Sequence, residues 1–124
     1  MISESKVKAA IRKDPNYARQ GVILFDNPVG ATRTENGGFL RYGLFPGSSD
    51  LIGWREVEIT PEMVGKRVAV FVAHECKRHG ERPTESQANF IAQVRRAGGI
   101  AGWSDSPDFA RAEILTNNIG VKPE

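Results

Sequence analysis

The chain has 124 residues, 40% of them hydrophobic, which suffices for one buried core, so we expect a single domain over residues 1–124. The net charge of +2 does not by itself demand a nucleic-acid partner, and a lone cysteine cannot form an internal disulfide. The longest apolar run is too short to cross a bilayer and no signal-like segment opens the chain, so we expect no membrane partner and a cytoplasmic location.

The first half of the chain is predicted to hold one helix and two strands. Ser3 is a good N-cap for a helix over residues 3–13, which the turn at Pro15 ends. Residues 22–25 are a short apolar run with β-branched members, typical of a buried strand. Residues 27–38 are rich in Gly, Asn and Thr and predict a loop, whereas residues 50–54 follow a Pro-Gly turn and predict a strand that begins at Asp50.

The second half alternates strands with helices. Residues 67–77 are dense in Val, Phe and Ala and predict the clearest strand of the sequence. Residues 84–87 match a capping box, and Ala88, Ile91 and Val94 share one face of the helix that follows. After Gly98 a strand is expected over residues 100–103, and Pro107 opens a last helix to about residue 115. The order predicts an α/β fold with a central mixed β-sheet flanked by helices.

Glu75 and Lys77 are the first candidates for a functional site. Side chains alternate along a strand, so these two residues are expected on the same face. A carboxylate beside an ammonium group supplies one ligand for a hard cation and a positive charge next to it. Asp50 would add a second carboxylate, and paired carboxylates prefer Mg²⁺ or Mn²⁺. A strand whose polar end simply emerges into solvent would show the same Glu75 and Lys77.

Several segments, taken in order, resemble the virus-type replication-repair nuclease (VRR-NUC) family of the PD-(D/E)xK superfamily. They are residues 47–53, 75–77 and 84–91, flanked by residues 41–44, 95–99 and 103–104. The resemblance spans most of the chain, and the order and spacing of the segments make it specific. It implies a restriction-endonuclease-like core and a metal-dependent DNA endonuclease, in a bacterial or phage-infected cell.

The resemblance also implies a role for each matching residue. Asp50 and Glu75 match the metal-binding acidic residues and Lys77 the catalytic lysine, while Gln87 matches a glutamine on the following helix. The backbone carbonyl of Cys76 would be a further ligand for Mg²⁺ or Mn²⁺. The metal would activate water for phosphodiester hydrolysis, leaving a 5′-phosphate and a 3′-hydroxyl.

Other matches leave alternatives open. Glu4 is similar to the early acidic residue that completes the metal site, and its spacing from Ile11 would aim it inward; a carboxylate in a first turn also favours the helix dipole. Gln87 closes the capping box as well as matching the family. Ser49 replaces the usual proline before the aspartate. Cys76 replaces a commoner Val or Ile, and in this apolar segment we expect its side chain to pack as a small hydrophobe.

The partner predicted from the resemblance is DNA, with a branched, Holliday-junction-like substrate cut by a homodimer, because one site per chain cuts one strand. Arg41, Arg78 and Arg82 are the candidate DNA contacts. His74 has no second ligand at metal spacing and is expected to be an ordinary strand residue facing away from Glu75. A sequence-specific restriction-type endonuclease and a non-catalytic DNA-binding module are the competing interpretations.

Overall fold

The computed structural model describes residues 3–116, and it divides after Arg55 into two compact units. The N-terminal unit contains helices and antiparallel strands, and the C-terminal unit contains a parallel pair of strands with two helices. The mixed α/β class is therefore confirmed, whereas the prediction of one domain stays a prediction. The N-terminal elements are α1 (Glu4–Lys13), α2 (Pro15–Arg19), β1 (Val22–Asp26), β2 (Gly30–Arg33), β3 (Phe39–Tyr42) and β4 (Leu51–Arg55).

The two N-terminal helices begin and end as local capping chemistry dictates. The Ser3 side chain accepts a hydrogen bond from the backbone N–H of Lys6, which confirms the predicted N-cap of α1. Asp14 ends α1 and also caps α2, because its side chain accepts from the N–H of Asn16 and Pro15 occupies a first helical position. The expected turn at Pro15 is thus the start of a second, short helix.

The prediction of a loop over residues 27–38 is wrong in the middle of that range. Residues 30–33 form β2, which pairs antiparallel with β3. The reason is that β2 shows no alternation of apolar and polar residues: its sequence is Gly-Ala-Thr-Arg, and only Gly30 is not fully exposed. The hairpin is held by backbone pairing and by a turn in which Thr34 bonds Gly38 through both backbone and side chain. A strand of this kind gives no periodic signal.

Strands β1 and β4 form the second antiparallel pair of the N-terminal unit, with Leu24 opposite Gly53. A Cβ atom on Gly53 would lie 1.8 Å from the carbonyl oxygen of Ile23, so only glycine permits this approach. On the same pair of strands the rings of Phe25 and Trp54 pack with centroids 5.5 Å apart. The strand predicted from residue 50 is therefore confirmed to within one residue, and Asp50 immediately precedes it.

The C-terminal unit consists of a short 3₁₀ turn and two strand–helix pairs. The strand predicted over residues 67–77 is shorter than expected, because its parallel partner begins only at Ile100 and earlier residues therefore have no strand beside them in the described chain. The capping box at Thr84 is confirmed in both of its hydrogen bonds. The elements are the 3₁₀ turn (Pro61–Met63), β5 (Val72–Cys76), α3 (Glu85–Arg96), β6 (Ile100–Ser104) and α4 (Pro107–Thr116).

The buried apolar residues of the described chain lie where α3 packs on β6. Ile91 and Val94 of α3 are buried, as predicted, together with Ile100 and Ala101 of β6. Ala88, predicted on the same face, is exposed. This contact packs the second half of α3 on β6, and Gln87 lies at the start of the same helix. No helix in residues 3–116 is long and apolar enough to cross a membrane.

The strands of the described chain pair two by two. Within residues 3–116 the sheets are β1–β4, β2–β3 and β5–β6, each two-stranded, in place of the single central sheet that was expected. Pairing between strands distant in sequence depends on how elements meet in space, which element order alone does not fix. The α/β class follows from the pattern, and the restriction-endonuclease-like core stays a prediction.

Candidate active site

Glu75 and Lys77 share one face of β5, as strand alternation predicted. The Lys77 Nζ atom lies 3.6 Å from Oε1 of Glu75. The Lys77 side chain is only 13% exposed and that of Glu75 35%, so the pair does not simply emerge into solvent. Partial burial strengthens the interaction of both charges with any third charge that enters.

Gln87 links the Glu75 carboxylate to helix α3 by a hydrogen bond. Its Oε1 atom accepts from the backbone N–H of Thr84 at 2.9 Å, which closes the capping box, and its Nε2 atom donates to Oε1 of Glu75 at 2.9 Å. The capping role is therefore present, and the same amide also bonds Glu75, whereas the role that the family resemblance implies for Gln87 stays a prediction. Because the capping box fixes the amide, the Nε2 donor is held in place for Glu75.

The Glu75 carboxylate has one engaged and one available oxygen. Oε1 takes the hydrogen bond from Gln87 and lies near the Lys77 ammonium, whereas Oε2 has no protein partner among residues 3–116. A fixed carboxylate oxygen of this kind fits one ligand position of Mg²⁺ or Mn²⁺. Within the described residues no group of three or more His, Cys, Asp or Glu side chains is arranged to hold a metal. The ion itself therefore stays a proposal.

Cys76 differs from expectation in its side chain. The thiol is exposed instead of packing as a small hydrophobe, because the Cys76 side chain lies on the face of β5 opposite Glu75 and at the end of the strand. Phe71 and Lys77 bond to β6 through their peptide groups, so the peptide groups of even-numbered residues face the other edge. The Cys76 carbonyl, the proposed metal ligand, accordingly lies on the edge away from β6.

His74 lies on the same face as Cys76, away from Glu75, as predicted. Its Nε2 atom lies 2.7 Å from the Ser104 hydroxyl, and that hydroxyl donates to the carbonyl of Ser106. Ser106 in turn caps α4 by accepting from the N–H of Asp108. His74 is thus a structural link between β5 and the start of α4.

Asp50 and Glu4 belong to the N-terminal unit. Asp50 is exposed, and its backbone carbonyl accepts from the N–H of Asn27 at 2.8 Å. Glu4 is exposed in the first turn of α1, so the inward orientation expected from its spacing to Ile11 is wrong; α1 buries no residue. At this position the negative charge of Glu4 interacts favourably with the positive end of the helix dipole. Its role as a metal ligand stays a prediction.

Asn27 is a residue of this region that the sequence did not single out. It is the buried polar residue of the described chain, and its Nδ2 atom donates to the Ser48 hydroxyl at 2.8 Å and to the Ser49 carbonyl at 2.9 Å. Its Oδ1 atom accepts from the N–H of Leu44. One amide therefore holds the whole turn before Asp50. Nothing in the sequence distinguishes this asparagine from those of ordinary loops.

The predicted DNA contacts differ in what holds them. Arg41 is exposed on β3. The Arg78 guanidinium donates to Oε1 of Glu81 at 2.7 Å, and this hydrogen bond lowers the pKa of the Glu81 carboxyl. Arg82 lines a groove against α3 and Trp103. Of the three, Arg78 has an intramolecular carboxylate partner, which would compete with a phosphate for its guanidinium group.

Comparison with known proteins adds no relative. No protein-family model, no curated protein and no solved structure matches this chain. The resemblance to the VRR-NUC family thus stays a prediction from the motifs. The assignment of a function therefore depends on those motifs and on the geometry around Glu75.

Proposed function

We propose that this protein is a metal-dependent DNA endonuclease with a restriction-endonuclease-like core. The observation that carries the proposal is the half-buried Glu75 carboxylate, held by Gln87 and flanked by Lys77 on one face of β5. A structural salt bridge would not need a third residue that holds the carboxylate and leaves one oxygen available. A nuclease centre needs all three features: a ligand, a fixed orientation and a neighbouring cation.

Each residue of the cluster has a distinct task in the proposed reaction. Glu75 offers Oε2 as a ligand, and Asp50 and the Cys76 carbonyl are the further ligands that the resemblance implies. Bound Mg²⁺ or Mn²⁺ would lower the pKa of a coordinated water and offset the charge of the phosphate. Gln87 keeps the Glu75 carboxylate from rotating. Lys77 donates to a non-bridging phosphate oxygen, where negative charge builds up as the reaction proceeds.

The net reaction is hydrolysis of one phosphodiester bond. The water oxygen attacks phosphorus and the bond from phosphorus to the 3′ oxygen breaks. One proton of the water ends on the leaving oxygen, which gives the 5′-phosphate and 3′-hydroxyl products. One site of this kind cuts one strand, so paired cuts across a branched junction require two subunits. We therefore propose a homodimer that acts on branched DNA.

The test is a cleavage assay with a panel of end-labelled DNAs: a four-way junction, a flap and a linear duplex. Each is incubated with the protein in Mg²⁺, Mn²⁺ or chelator, beside Glu75→Gln. The matched control is Glu58→Gln, which removes an exposed carboxylate of the same unit. We expect metal-dependent cutting of the branched DNAs that Glu75→Gln abolishes and Glu58→Gln retains.

Each alternative predicts a different outcome of that assay. Cutting of linear duplex at one fixed sequence, without regard to branching, would identify a restriction-type endonuclease. Absence of cutting in every metal, with binding equal in chelator and in Mg²⁺, would contradict the nuclease and leave a DNA-binding module. Cutting that persists in Glu75→Gln would contradict the assigned site.

A further inference from the structure

A groove of about 650 Å³ lies on the C-terminal unit, on the side of α3 that faces Trp103. It is formed by the segment before α3, by one side of that helix and by β6. Its lining includes three arginines, a tryptophan and small apolar residues. These are Arg82, Arg95, Arg96, Trp103, Ala88 and Ala92.

The charged side chains that line this groove are all positive. Three arginines line it and, among the described lining residues, no carboxylate does. Arg95 is already engaged, since it donates to the Ala101 carbonyl and pairs with Glu113. Arg82 and Arg96 are exposed and have no ion-pair partner within residues 3–116. Arg82 and Trp103 also line an adjoining cavity, together with Glu81, Asp105 and Glu113. In the groove itself two exposed arginines with no carboxylate in the lining favour a polyanionic occupant.

Trp103 joins this groove to the candidate active site. It is the register partner of Glu75 across the parallel strands, so the two side chains project from the same face of the sheet. Trp103 is 40% exposed although it lies on β6, whose first two residues are buried. An exposed indole between arginines is the arrangement that stacks on an unpaired base while the arginines bind its phosphates.

We infer that this groove binds an unpaired nucleotide of single-stranded DNA next to the scissile phosphate. The base stacks on the indole of Trp103, and Arg82 and Arg96 bind the adjoining phosphates. The inference rests on the proposed function and deepens it, because it states which part of a branched substrate the site engages: the unpaired strand. A fully paired duplex cannot offer a base face to Trp103 without unstacking it.

The test measures binding in chelator, where no cleavage occurs. A short oligothymidylate is titrated into the wild-type chain while tryptophan fluorescence is followed. The chain has 2 tryptophans, so a quenching signal that disappears in Trp103→Phe is assigned to Trp103 and not to Trp54. Anisotropy of a labelled oligothymidylate then gives affinities. We expect Trp103→Ala to weaken binding about tenfold and Trp103→Phe, which keeps an aromatic ring, to recover most of the loss.

The arginines are tested by salt dependence. Arg82→Ala and Arg96→Ala should each reduce the slope of log affinity against log salt by about one, because each removes one phosphate contact. The matched control is Arg67→Ala, an exposed arginine of the same unit that does not line the groove. An unchanged slope in both groove variants would contradict the assigned phosphate contacts.

Three further results would overturn the inference. They are equal quenching in Trp103→Phe and wild type, wild-type affinity in Trp103→Ala, and equal affinity for an abasic oligomer that has phosphates but no bases. Circular dichroism of each variant shows whether the fold is kept. Because binding is measured without metal, a chain that binds through Trp103 but cuts nothing would keep this site and reject the nuclease. A chain that cuts DNA but whose binding does not depend on Trp103 would keep the nuclease and reject this site.

Discussion

Gln87 makes two hydrogen bonds that usually belong to separate residues, one for the helix and one for the candidate catalytic carboxylate. Its capping role could be predicted from the sequence, because a glutamine three residues after Thr84 completes the capping-box pattern. The short distance between the Gln87 amide and the Glu75 carboxylate could not be predicted. It depends on β5 lying beside the start of α3, which is a contact between elements and not a property of either.

The two roles of Gln87 can be separated by a pair of substitutions. Gln87→Glu keeps a cap for α3, because glutamate also closes a capping box, but places a carboxylate against Oε1 of Glu75. Thr84→Ala removes the cap, about 1 kcal/mol, and leaves the Gln87–Glu75 bond. We expect Gln87→Glu to lower the cleavage rate about 10- to 100-fold at a temperature where the variant is fully folded, and Thr84→Ala to lower Tm at unchanged rate. Thermal melts and single-turnover rates measure both. If Gln87→Glu and Thr84→Ala have equal effects on the cleavage rate and on Tm, Gln87 acts only as a cap.

At the scale of elements, α1, α3 and α4 were predictable, whereas the short helix α2 was not predicted and the strands were predictable only in part. The caps at Ser3 and Thr84 are local signals, so α1 and α3 begin where the sequence indicates. β5 is shorter than its apolar run because its length is set by β6, and β2 has no pattern at all. Asn27 escaped prediction for the same reason: its amide bonds residues that lie 17 to 22 positions further along the chain.

The turn that leads to β4 gives a prediction at this scale. Asn27→Ala leaves the Ser49 carbonyl and the Leu44 N–H without their partner, so we expect the free energy of unfolding to fall by about 1–3 kcal/mol. If Asp50 is a ligand, the cleavage rate should also fall although Asp50 is intact. The control is Asn36→Ala, an exposed asparagine of the same unit, with an effect within about 0.5 kcal/mol. Denaturant melts that show equal stability for both variants would contradict the role of Asn27.

At the scale of the whole molecule, the distribution of burial bears on the proposed dimer. The buried apolar residues of the described chain all lie in the C-terminal unit, but both units have large apolar side chains that are more than half exposed. Exposed apolar groups in this number favour a partner surface. The exposed large apolar residues that lie nearest to one another in sequence are Phe39, Leu40, Tyr42, Leu44 and Phe45.

The dimer is tested by sedimentation velocity at micromolar concentration. We expect the wild-type chain to sediment as a dimer and Leu40→Ser to shift it toward monomer, because serine removes exposed apolar surface. Val64→Ser, at an exposed apolar residue of the other unit, is the control that should remain dimeric. A wild-type monomer at this concentration would contradict the dimer and, with it, paired cutting of a junction.

The central claim is that Glu75, Lys77 and Gln87 form a catalytic centre, and Lys77→Ala tests it most directly. The measurement pairs the single-turnover cleavage rate of branched DNA in Mg²⁺ with the Kd for the same DNA in chelator. The predicted result is a rate at least about 100-fold lower with a nearly unchanged Kd and unchanged circular dichroism, because Lys77 stabilises mainly the additional negative charge that builds up in the transition state. A rate equal to that of the wild type would contradict the account, as would a rate that falls only in proportion to weakened binding.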